Sequence, residues 1–205
     1  MDELFIYDRD GGLFKKVLEQ SFVIEGRYHV SADMGQDLNT NNLGTLVASL
    51  PEKKYPLCVC VAPVSNIVTQ NGQQKEEFYF TLLFVCQTYK DQSNPRTRQS
   101  THEVWYDWKD MKQAAADFIS VLDMFTRSAK LPSGLPIATQ FNIDAGNVKI
   151  TRLSKFSEDR ISGVAIRFTG TLHGNDCAIN DYPADYLTKI VVPNEIVHPQ
   201  HKHND

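Results

Sequence analysis

The chain has 205 residues, 41% of them hydrophobic and 22% charged, and a formal net charge of −4. This composition fits one globular domain with enough apolar residues for a core. The acidic balance excludes a protein whose main task is to grip nucleic acid, since phosphate binding needs a basic footprint. No apolar stretch approaches the roughly 20 residues of a membrane helix, so no membrane partner is expected.

The opening residues, Met1-Asp2-Glu3-Leu4-Phe5, are acidic and carry no apolar run of signal-peptide length, which points to synthesis in a cytoplasm. Residues 11–20 place Leu13, Phe14, Val17 and Leu18 at helical spacing and predict a short amphipathic helix. Residues 31–50 show little pattern, and Asn39-Thr40-Asn41-Asn42-Leu43-Gly44 reads as turn and loop.

The first strong strand is predicted over 57–61, entered through Tyr55-Pro56 and ended by Pro63. Cys58 and Cys60 alternate within it and share one face, as reduced thiols of a core. A second strand is predicted over 78–87. Its Phe78, Phe80, Leu82, Phe84 and Cys86 lie on one face and its Tyr79, Leu83 and Val85 on the other. A strand apolar on both faces is central and covered on each side. Residues 66–77 between them read as a polar connection turning at Asn71-Gly72, a dipeptide that joins antiparallel strands. Residues 88–104 are polar around Pro95 and read as a long exposed loop, a length that is usually functional.

A long helix is predicted over about 108–128, where Trp108, Met111, Ala115, Phe118, Leu122 and Phe125 recur at intervals of three and four. Arg127 and Lys130 suit its C-terminus, and Pro132 and Gly134 stop it. Six such residues buried at ~1.5–3 kcal/mol each contribute roughly 9–18 kcal/mol. Ordering the backbone costs as much or more, so this helix needs a sheet to lie on. Segments 141–144, 148–153 and 161–173 follow as strands, the last two joined at Ser157-Glu158-Asp159-Arg160. In the last strand Val164, Ile166, Phe168 and Leu172 point inward, and Arg167, Thr169 and Thr171 outward. The predicted fold is α+β: a mostly antiparallel sheet with one long helix packed on it and a short N-terminal helix. Residues 1–177 form a single domain, and 178–205 a C-terminal extension whose end is expected to be mobile.

Nucleotide-binding, nucleophile-elbow and zinc-protease motifs do not occur in the sequence. His102-Glu103 is an exposed pair outside any catalytic motif, and Asp107 with Asp110 suits the dipole of a helix start. Cys177, four residues from His173, is the one basis for a thiol-dependent enzyme. His198, His201 and His203 read as a solvated tail, and Lys90, Arg96 and Arg98 as loop charges suited to protein contacts. No catalytic residue, cofactor site or metal site is expected, and the chain is read as a non-enzyme.

The order of elements resembles a family of phage neck and tail-completion proteins, the tail terminators and head–tail connector rings. The likeness runs over about residues 50–177. It is carried by Tyr55-Pro56-Leu57-Cys58-Val59-Cys60-Val61, Phe78-Tyr79-Phe80-Thr81-Leu82-Leu83-Phe84, Trp108-Lys109-Asp110-Met111, and Ile161-Ser162-Gly163-Val164-Ala165-Ile166-Arg167-Phe168 leading to Asn175-Asp176-Cys177. It is similar to sequences of phages of Bacteroides-type hosts, including crAss-like phages. The resemblance implies a virion structural protein forming a six- or twelve-fold homo-oligomeric ring between portal and tail, with DNA only passing through its lumen. A phage assembly factor that does not stay in the particle is the second reading. The loops 66–77 and 88–104 are expected to make the contacts between subunits, with Asn71, Lys75, Arg96, Arg98 and His102 as interface residues.

Overall fold

The computed structural model describes residues 4–31, 55–70, 73–87, 101–130, 137, 140–156 and 161–173. In chain order the elements are α1 (Leu4–Tyr7), α2 (Leu13–Glu19), β1 (Tyr28–Ser31), β2 (Leu57–Gln70), β3 (Gln73–Gln87), α3 (Thr101–Ser128), β4 (Phe141–Ile143), β5 (Lys149–Phe156) and β6 (Ile161–His173). The six strands form one sheet in the order β1-β2-β3-β6-β4, with β5 also paired to β6. Among the described residues only the β1–β2 pair is parallel. The architecture is α+β with a mostly antiparallel sheet, as the sequence predicts.

β3 is the centre of the sheet because its residues are apolar on both sides. It pairs with β6 without interruption from Lys75↔His173 to Gln87↔Ile161. On one face, α3 lays down Met111, Ala115, Phe118, Leu122 and Phe125, all buried. This is the predicted stripe, except that Trp108 is only half-buried at its end. The α2 helix packs beside α3 and inserts Phe14 edge-on to Phe80 at 5.0 Å and to Phe118 at 5.5 Å. Phe80 also stacks on Phe78 at 5.6 Å and Phe168 at 5.3 Å, so the aromatic side chains of α2, β3 and β6 meet at one ring. The opposite face is buried too: Leu57, Val59, Leu83, Val85 and Ala165 belong to a second apolar cluster. That accounts for a doubly apolar β3, although Tyr79 on this face is 45% exposed.

β6 lies so close to β3 at Gly163 that a Cβ there would be 2.0 Å from the Phe84 carbonyl oxygen. Only glycine fits. Glu25 (φ 50°) and Gly26 (φ 70°) make the left-handed turn that carries the chain from α2 into β1.

Three expectations are corrected. First, the strand over 57–61 does not end at Pro63. A bulge between Val61 and Val64 accommodates Ala62-Pro63, and β2 then runs on to Gln70. Second, residues 66–77 are not a loop. Asn66↔Glu77 through Gln70↔Gln73 are strand pairs that extend the β2–β3 hairpin, and β6 stays paired to β3 as far as Lys75. The turn itself lies outside the described residues, but this register leaves only Asn71 and Gly72 to make it. Every β2 residue from Val64 to Thr69 is exposed, so this strand needs no polar–apolar alternation and hydropathy reads it as a connection; only the β-branched Val64, Ile67, Val68 and Thr69 betray it. Third, the long helix begins at Thr101, within the expected 88–104 loop. Asp107 and Asp110 are therefore past its first turn, and the expected dipole role, which fades within that turn, does not apply. The remainder of that loop and the 178–205 extension lie outside the described residues.

Candidate assembly surface

The least core-like part of the described structure is the distal half of β2. Every residue from Val64 to Thr69 is exposed, including Ile67 at 72%. β1 pairs only with Cys58 to Val61 of β2, so among the described residues no strand pairs with the outer edge of β2 beyond the bulge. The run Val64-Ser65-Asn66-Ile67-Val68-Thr69-Gln70 contains no charge. An exposed, β-branched, uncharged edge is the kind that other chains add to. Ser65 Oγ donates a hydrogen bond to Oε1 of Glu76 on β3, which holds that carboxylate over β2 and toward its open edge.

The opposite side of the sheet ends in β5, and it is built differently. Lys149, Ile150, Thr151 and Arg152 are exposed there. The Arg152 guanidinium lies over two indoles of α3, 5.4 Å from the Trp105 centroid and 5.3 Å from that of Trp108. Trp108 Nε1 donates to the Leu153 carbonyl at 2.7 Å, tying the start of α3 to this strand. The sheet therefore has one uncharged open edge and one cationic edge.

The titratable groups with shifted pKa values are set by burial first. Cys58 and Cys60 are fully buried free thiols on the helix-covered face, as expected. Burial pushes Cys60 up to about 12 and Cys58 well above its ordinary value, so neither is a thiolate nucleophile at neutral pH. Burial, reinforced by Asp107, likewise raises Cys86, whose Sγ donates to the Ser162 carbonyl at 3.6 Å. Tyr28, raised by burial and by the two cysteines, donates its hydroxyl to the Tyr7 carbonyl at 2.8 Å and ties β1 to α1. His173 is lowered by burial and then by Lys75, and its Nε2 lies 3.0 Å from the Asn142 amide nitrogen. Among the described residues no group of three or more His, Cys, Asp or Glu side chains is placed to hold a metal. No helix among them is long and apolar enough to cross a membrane.

Of the interface residues expected from sequence, Lys75 sits on β3, paired with Val68 on one side and His173 on the other. His102 lies in the first turn of α3. The start of α3 lies near Cys86, at the other end of β3, so the structure separates His102 from Lys75 instead of joining them in one patch. Asn71, Arg96, Arg98 and Cys177 are outside the described residues. Ile67 and Val68 fall within the expected contact segment 66–77 without being singled out, and Lys149 and Ile150 on the other edge were not anticipated; the β-branched run after Pro63 was the available signal for the first pair. No protein-family model matches this chain, and no curated protein matches it in sequence.

Proposed function

We propose that this chain is a structural subunit that works by assembling with copies of itself, in the specific form of a ring at the head–tail junction of a phage particle that links portal to tail around a channel for DNA. The observation that supports assembly is the uncharged strand edge at Val64–Gln70, carried on a rigid two-faced sheet. The phage ring is the form that the sequence resemblance implies.

Light scattering on a sizing column, followed by negative-stain imaging, tests the reading. A closed ring of six or twelve subunits is the expected species, and mass spectrometry of purified particles should find the chain in the virion. A protein that assembles yet is missing from particles is an assembly factor instead. A permanent monomer that turns over a substrate, and stops on Cys177→Ser, overturns the proposal.

A further inference from the structure

We infer that copies of this chain join head to tail through their sheets, the open β2 edge at Val64–Gln70 of one copy adding to the β5 edge at Lys149–Arg152 of the next. The inference rests on the assembly reading above and names the seam it would use.

Four observations carry it. The first is position. β1 covers β2 only as far as Val61, and β4 covers β6 only over Gly170 to Leu172. The open β2 segment and β5 thus lie at diagonal corners of the sheet, and among the described residues neither has a further strand paired to its outer edge. The second is direction. β2 is antiparallel to β3, β3 to β6, and β6 to β5, so β5 runs opposite to β2. A neighbour added in the same orientation therefore presents β5 antiparallel to β2, continuing the alternation of the sheet without inverting the subunit.

The third is charge. Lys149 and Arg152 would repel a second β5 edge but not an uncharged one. With Ile67 set opposite Ile150 of the next copy, antiparallel register places Arg152 opposite Ser65. The hydroxyl of Ser65 holds the Glu76 carboxylate on that side. All four side chains share one face: Glu76 and Ile67 align with Leu172, and Ile150 and Arg152 align with Ile166 and Val164, which belong to the helix-covered core. The fourth is exposure. Ile67 at 72% and Ile150 at 42% are apolar side chains that this register would bury against each other. Trp108 takes the Leu153 carbonyl and so bounds the seam at Arg152. Because the two edges differ, the contact is heterologous, the kind that generates rings.

The test uses the full chain in a Cys177→Ser background, with Ile67→Cys and Ile150→Cys made separately and mixed under mild oxidation. The expected result is a cross-linked dimer in the mixture and none in either variant alone. Ile67→Glu should weaken association by about tenfold or more, as loss of a central interface anchor does, while the circular dichroism spectrum stays unchanged. A 67–67 cross-link would mean a two-fold contact and overturn the head-to-tail seam. Rings that form normally in Ile67→Glu overturn the seam while leaving the assembly function standing. A chain that neither cross-links nor associates at any concentration overturns both.

Discussion

Replacing Gly163 with alanine is the sharpest probe of how β6 packs on β3. The added methyl would sit 2.0 Å from the Phe84 carbonyl oxygen, 2.9 Å from the Val85 Cα and 3.0 Å from the Phe84 carbonyl carbon. All three obstacles are backbone of the central strand, so no rotamer change relieves them. The strands must part by about 1 Å to restore an ordinary contact, in the middle of a ladder that runs without a bulge. Overpacking of this kind costs about 1–3 kcal/mol, and the alanine recovers roughly 0.5–1 kcal/mol through a less disordered unfolded chain. A net loss of about 1–2 kcal/mol, at a urea dependence of ~1–3 kcal/mol per molar, lowers the denaturation midpoint by roughly 0.3–2 M. The assay is urea unfolding followed by circular dichroism. Gly146→Ala is the internal control, because its nearest neighbour, Asp144 Oδ1, would be 3.6 Å away. Equal midpoints for wild type and Gly163→Ala would refute the close approach and with it the register of the β3–β6 pair.

Phe80→Ala removes the ring on which Phe14, Phe78 and Phe168 converge, and should cost about 3–5 kcal/mol by the same unfolding assay. Alkylation followed by peptide mass mapping should leave Cys58 and Cys60 unmodified in the folded protein and label both in urea, since both are buried with raised thiol pKa values. His29, lowered by burial and then by Arg9 and Lys15, and His173, lowered by burial and then by Lys75, resist protonation in the fold. The unfolded chain takes up those protons near pH ~6.5, so their contribution is present above that pH and lost as pH falls through it toward the folded values. The urea midpoint should fall between pH ~7.5 and pH ~5.5, and His173→Gln should flatten the slope, whereas an unchanged slope would assign the effect to other groups.

The elements that were legible in the sequence are those whose burial is one-sided or total. The α3 stripe from Met111 to Phe125 was visible because only helical spacing puts those residues on one face, and β3 because apolar residues fill both faces. What escaped was what tertiary context creates. Residues 101–107 add two turns to α3 with no apolar stripe, and Trp105 and Tyr106 in them are over half exposed. β1 is four residues, Tyr28-His29-Val30-Ser31, and exists because β2 offers it an edge. The distal β2–β3 hairpin looked like a loop because its β2 residues from Val64 to Thr69 are all exposed. The open edges were hidden for the same reason: they are defined by which strands fail to pair there, and no single segment encodes that.

The parallel seating of β1 has a kinetic side. Its partners, Cys58 to Val61, lie thirty residues further along the chain, whereas the β2–β3 and β5–β6 hairpins close locally. Closing the longer loop is slower and is rewarded only once β2 already has a partner in β3. The first thirty residues should therefore lock last during refolding and open first under native conditions. Amide exchange would then be fastest in α1 and β1 and slowest along the β3–β6 ladder, making the N-terminal segment a latch on a body that has already formed.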